Sequence, residues 1–181
     1  MQRARLSAAA VGAELVATNL PVRQRSENDC GPAALCNFLN LRGTPCSRAD
    51  LERFEHRGPG GVSMLELREA ASRYGVQLEG WRFDPGRVQD VPTPFLAFLR
   101  SRHFVVVTSV GRVGAVEVID PALGRLRYPG ERFVRLWTGL CLIPAGSVRS
   151  HFWQNDLGRQ VESPVTPDRI AARTRKPSER R

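Results

Sequence analysis

Between residues 28 and 43 the chain reads NDCGPAALCNFLNLRG, and its apolar side chains fall at helical spacing: Ala33, Ala34, Leu35, Phe38 and Leu39. Asn28 or Asp29 can cap this helix, and Gly43 stops it. Pro32 is tolerated because first-turn N–H groups have no intrahelical acceptor. Ser47-Arg48-Ala49-Asp50 is a short-side-chain capping box that predicts a second helix, through Phe54. After a flexible Gly58-Pro59-Gly60-Gly61 link comes a full capping box, Ser63-Met64-Leu65-Glu66. Met64, Leu67, Ala71 and Tyr74 then recur at helical spacing, and Gly75 ends the pattern.

The second half changes period. Val76–Phe83 alternates, Pro94–Leu99 is apolar between prolines, and His103–Val110 and Ala115–Ile119 flank the turn Gly111-Arg112-Val113-Gly114. Leu126–Tyr128 predicts a short strand, Glu131–Trp137 a helical turn, and Leu140–Ile143 a last buried strand. Helices early and an antiparallel sheet late make an α+β fold. The core is expected over residues 21–152, after a flexible N-terminal leader over 1–20. Residues 153–181, rich in Pro and Arg and poor in apolar side chains, read as a disordered basic tail.

Charge changes this picture little. The net charge of +9 splits evenly, with +3 in residues 1–25 and +3 in residues 154–181. Lys176 is the only lysine, so the arginine bias fits base composition better than a nucleic-acid surface, and no nucleic-acid partner is expected. Leu6–Ala13 is short, alanine-rich and interrupted by Glu14, which suits a poorly ordered or helical leader better than a secretory signal. No apolar run is long enough for a transmembrane helix. Cys30, Cys36, Cys46 and Cys141 form no C-x-x-C pair, which removes the usual zinc spacing. A reducing, cytoplasmic compartment fits them, although their even number leaves a bridge open.

Cys30 stands at the first helical position, where the partial positive charge of the helix terminus favours a thiolate. The bland alternative is a small buried residue. A nucleophile needs a nearby base, and the histidines are His56, His103 and His151. Pairing Gly111 with Gly114 gives strand positions that sum to 225, which sets Asp120 opposite Val105. Asp120 is then the diagonal same-face neighbour of His103, and its carboxylate can orient the imidazole. A slip of one residue would send Asp120 to the other face. Gln24, six residues before Cys30, can donate with the Cys30 N–H to an oxyanion. On its own it reads as solvated surface.

Gln24, Asp29-Cys30-Gly31-Pro32-Ala33, His103-Phe104-Val105-Val106 and Asp120-Pro121, in that order, resemble the bacteriocin-processing, double-glycine leader peptidases, which are papain-like cysteine peptidases. The resemblance spans about Pro21 to Pro144. It implies a papain-like α+β fold and a catalytic set of Cys30, His103 and Asp120, with Gln24 at the oxyanion. It further implies cleavage after a Gly-Gly junction in a leader-bearing precursor peptide, no metal or organic cofactor, and a membrane exporter as a partner, with the peptidase docked at the inner face of the membrane. The chain carries neither a transmembrane span nor a phosphate-binding G-x-x-x-x-G-K-[ST] loop, so it reads as a stand-alone peptidase domain. Two alternatives stay open: a transglutaminase- or amidase-like acyl-transfer enzyme on the same scaffold, and a non-catalytic leader-docking module. The intact Cys30 argues against the second.

Overall fold

The late apolar runs pair edge to edge. The computed structural model describes residues 2–51, 61–112, 114–148 and 158–160. Its strands are β1 (Glu14–Ala17), β2 (Leu78–Phe83), β3 (Phe95–Leu99), β4 (Phe104–Val110), β5 (Val116–Asp120), β6 (Gly124–Tyr128), β7 (Trp137–Pro144) and β8 (Gly158–Gln160). Among the described residues they form one sheet in the order β1-β6-β5-β4-β3-β7-β2-β8. Every pairing is antiparallel. The helices are α1 (Gln2–Ala10), α2 (Cys30–Leu41), α3 (Arg48–Leu51), α4 (Met64–Arg73) and α5 (Gly130–Leu136), so the fold is α+β.

Strand alternation sends apolar side chains to both faces, and both are covered. Leu96, Phe98, Phe104 and Val106 pack on one side with Leu35, Phe38 and Leu39 of α2 and Leu67 of α4. Phe95, Val105, Val107 and Trp137 pack on the other with Phe133 of α5 and Ala8 of α1. Each large apolar side chain buried this way contributes about 1.5–3 kcal/mol. Helix α2 is buried from Cys30 through Leu39, and its run of Gly31, Pro32, Ala33 and Ala34 lets the first turn lie close to the sheet. Leu67 and Phe104 are the nearest side chains to where a Cβ on Gly31 would project.

Several expectations shift in detail. The capping box at Ser63 forms in full, with Ser63 N donating to Glu66 Oε2 at 2.7 Å and Glu66 N to Ser63 Oγ at 3.2 Å. Asp29 occupies the cap position of α2, but its side chain caps nothing. Its carboxylate turns to Arg25 and Arg48 instead. The β4–β5 turn closes one residue wider than expected, with Gly111 N donating to Ala115 O at 2.8 Å, and Val110 faces Val116. An irregularity between Val107 and Ser109 then restores the expected sum, so that Val107 faces Val118 and Val106 faces Ile119.

Within the stretch expected as leader, α1 is helical and β1 adds an edge strand to β6. Gly124, at φ +129, admits the close approach of the β1 chain, since a Cβ there would collide with Ala17 O. Cys36 and Cys46 form a disulfide across the loop after α2, which departs from four free thiols. Residues 158–160 of the expected tail form β8 beside β2. The rest of that tail, the continuation of the second helix to Phe54, residues 58–60 of the link, His56 and His151 lie outside the described residues. Among the described residues no helix is long and apolar enough to cross a membrane.

Candidate active site

Three elements converge on one sulfur. A 3-10 turn, Glu27–Asp29, runs directly into α2, so Cys30 already has helical dihedrals (φ −57°, ψ −44°) and its thiol sits at the helix mouth. His103 follows a tight turn in which Arg102 takes φ 61° and donates its N–H to Leu99 O at 3.0 Å. Leu99 N in turn donates to His103 O at 2.8 Å, which fixes the His103 backbone at the foot of β4. Asp120 ends β5 and is 5% exposed.

The Asp120 carboxylate has a defined set of donors. Oδ1 accepts from Ala122 N at 2.8 Å and from Leu123 N at 3.1 Å, which turns the chain after β5. It also lies 3.1 Å from His103 Nε2. A carboxylate oxygen accepts, so Nε2 is the ring nitrogen that donates to Asp120. Cys30 and His103 lie close enough for each to shift the other's proton affinity. The order along the site is therefore thiol, imidazole, carboxylate.

The electrostatics follow from that order. Burial pushes the Cys30 thiol up, but the hydrogen bond and charge of His103, with the backbone N–H groups of Phe104 and Gly31, outweigh burial and hold it below the ordinary thiol value. Burial lowers His103, yet Asp120 and Cys30 together push it up to about 10. The pair is accordingly biased towards thiolate and imidazolium, each charge favouring the other. Cys141, wholly buried in the sheet, is pushed up by burial alone and stays a thiol. Among the described residues no group of three or more His, Cys, Asp or Glu side chains could hold a metal ion.

Gln24 reaches the same neighbourhood by its backbone, with Gln24 N donating to Pro121 O at 3.1 Å, next to Asp120. Its side chain is turned onto its own loop: Nε2 donates to Ser26 O at 3.2 Å, while Oε1 is buried with no hydrogen-bond partner. The structure thus joins His103 to Asp120 directly, sets Cys30 within the electrostatic reach of His103 and brings in the Gln24 loop alongside.

Sequence reasoning passed over two supports of this site. Asn37 is buried inside α2, accepts from Val22 N at 3.2 Å and donates to Val22 O at 2.7 Å, tying the chain that leads to Gln24 onto the helix. An amide on an otherwise apolar helix face was the available signal. Asp29 is buried beside Cys30 and was read only as a cap.

Residues 19–148 match the model of the peptidase C39 family. An uncharacterized protein of Methanothermobacter marburgensis is 35% identical over 125 residues, covering 67% of this chain and 85% of that protein. A probable functional amyloid protease of Pseudomonas aeruginosa is 27% identical over 165 residues, covering 85% of this chain and 69% of the relative. The lactococcin-G-processing and transport ATP-binding protein of Lactococcus lactis is 26% identical over 129 residues, covering 68% of this chain and 18% of that longer protein. Among solved structures, a double glycine motif protease from an AMS/PCAT transporter, in complex with its leader peptide, superposes with a TM-score of 0.63. It shares 26% identity and covers 73% of this chain and 96% of its own. The peptidase domain of Streptococcus ComA gives a TM-score of 0.60 at 27% identity, covering 68% and 95%.

Proposed function

Since the chain belongs to the peptidase C39 family and is a cysteine-type peptidase, we propose that Cys30 attacks the carbonyl of the second glycine of a Gly-Gly pair in a leader-bearing precursor peptide. The observation that carries this reading is the run from the Cys30 thiol through His103 to Asp120, with 3.1 Å between His103 Nε2 and Asp120 Oδ1.

The thiolate adds to the carbonyl carbon, and negative charge collects on the carbonyl oxygen. The Cys30 N–H and the second N–H of the Gln24 carboxamide stabilise that oxygen, the latter uncommitted while the first donates to Ser26 O. His103 then gives its proton to the departing amine, the C–N bond breaks, and the leader remains as a thioester on Cys30. Water attacks the thioester while His103 takes one of its protons, the C–S bond breaks, and release of the leader acid restores the thiolate–imidazolium pair. Asp120 holds the ring in position throughout and favours the imidazolium.

The substrate class comes from likeness. Glycine at the two positions before the cut allows the backbone to pass through a narrow cleft. The relatives that process and transport peptides support a precursor handed to an exporter, and a cytoplasmic position beside it. The Cys36–Cys46 bridge sets a condition on that position, since it must survive the local thiol pool there. The test is a synthetic precursor with Gly-Gly, Gly-Ala or Ala-Ala at the junction, each with and without an amphipathic leader helix. Cleavage confined to Gly-Gly and slowed by loss of the leader supports the reading. Equal cleavage of all junctions leaves a thiol peptidase of other specificity. Release of ammonia from an internal Gln would move the assignment to acyl transfer.

A further inference from the structure

Asp29 poses a physical question. It is a carboxylate, 4% exposed, one residue before the nucleophile, and it does not cap the helix it opens. A buried carboxylate is costly unless it is paired and hydrogen-bonded. Its Oδ2 accepts from Arg25 N at 3.3 Å and lies 3.5 Å from Arg48 Nη2. The other arm of the same guanidinium, Nη1, donates to Arg23 O at 2.6 Å. Arg48 therefore holds the chain on both sides of Gln24: at the carbonyl just before it, and through Asp29 at the N–H just after it.

The opposite side of the loop is held as well. Arg23 Nη2 donates to Ala122 O at 3.0 Å and Gln24 N to Pro121 O at 3.1 Å, both in the turn that Asp120 organises. Gln24 is thus suspended between two frames, one built on α3 and one on the β5–β6 turn. A planar guanidinium suits the first frame because its fork can serve a carbonyl and a carboxylate at fixed spacing, which an ammonium cannot.

We propose that Arg48, acting through Asp29 and Arg23 O, is a positioning residue for Gln24 in the oxyanion site. The inference rests on the reading of Gln24 given above. Arg48 does not touch the reacting atoms. It sets the position of the loop that must present an N–H to the oxyanion, and small displacements of such a donor are expensive in rate.

The test is a double-mutant cycle on the full chain with two small probes that need no knowledge of the natural substrate. p-Nitrophenyl acetate acylates Cys30 through a tetrahedral oxyanion. Iodoacetamide alkylates the same sulfur by direct displacement and forms no oxyanion. Arg48→Gln is expected to slow acylation about tenfold or more while leaving alkylation within about twofold. In a Gln24→Ala background, Arg48→Gln should change acylation by less than about twofold, because the group it positions is gone. An equal cost in both backgrounds, a parallel fall in acylation and alkylation, or an unchanged Arg48→Gln protein overturns the inference while leaving Gln24 in place. A Gln24→Ala protein that acylates normally overturns the reading of Gln24 and the inference together. If circular dichroism shows Arg48→Gln unfolded, Arg48→Lys and Asp29→Asn carry the same cycle with the same outcomes.

Discussion

Replacing Asp120 by Asn removes one charge from the site and little else. Asp120 Oδ1 accepts three hydrogen bonds, from His103 Nε2 at 3.1 Å, Ala122 N at 2.8 Å and Leu123 N at 3.1 Å. An asparagine keeps an oxygen for all three, so the turn after β5 and the Gln24 N–H on Pro121 O stay in place. Alanine would orphan both backbone donors and mix folding with catalysis. The charge itself matters because Asp120 is the larger of the two influences that raise His103 to about 10. A hydrogen bond to a charged group contributes about 1.5–3 kcal/mol, against about 0.5–1.5 kcal/mol for a neutral one. With the remaining effect of the carboxylate on the imidazolium, the loss in the transition state is about 2–3 kcal/mol, or roughly 30- to 150-fold in kcat/KM. The assay is kcat/KM on a Gly-Gly junction peptide across pH, beside a thermal melt. The melt should barely move, and the basic limb of the pH profile should fall below its wild-type position. A variant within about threefold of wild type, with an unmoved basic limb, refutes the role given to Asp120.

Further outcomes follow from the same geometry. Wild-type kcat/KM should be bell-shaped: activity falls at low pH as the Cys30 thiolate, held below the ordinary thiol value, takes a proton, and falls again near about 10 as His103 loses the proton the leaving amine needs. A profile that still rises above pH 10 would contradict the imidazolium. Iodoacetamide at neutral pH, followed by peptide mapping, should label Cys30 and spare the buried Cys141 and the bridged Cys36 and Cys46; labelling of Cys46 ahead of Cys30 would count against both assignments. Replacing Cys36 and Cys46 by serine opens a loop with a sequence separation of 10 and, on chain-entropy grounds, should cost about 3 kcal/mol in urea unfolding without reductant. An unchanged midpoint would argue that the bridge does not form in solution.

The helix mouth was legible because α2 announces itself twice, by apolar spacing and by the polar run before Cys30. The His103–Asp120 pairing was reached through a turn drawn one residue too tight, and it holds because the irregularity between Val107 and Ser109 compensates. Hydrophobic alternation fixes which face a strand buries, whereas a bulge leaves no mark in Val-Val-Thr-Ser. β1 escaped notice because Glu14–Ala17 is four residues long and half-exposed at the sheet edge, so it carries almost no periodic signal. The Asp29–Arg48 contact joins residues 19 apart whose side chains each have an ordinary local reading, Asp29 as a cap and Arg48 as surface. The disulfide was equally hidden, since four cysteines allow several pairings and only the loop after α2 brings Cys36 and Cys46 to a Cα separation of 5.0 Å.

The central claim is that Cys30 carries the acyl group between the two halves of the reaction. It is tested most directly by mixing the protein with excess Gly-Gly junction peptide, quenching in acid within the first turnover, and measuring intact mass and the Cys30 peptide. The predicted result is a transient adduct equal to the leader half of the substrate, attached to Cys30 and absent from Cys30→Ala. Cleavage that proceeds in Cys30→Ala, or an adduct on another residue, would contradict it.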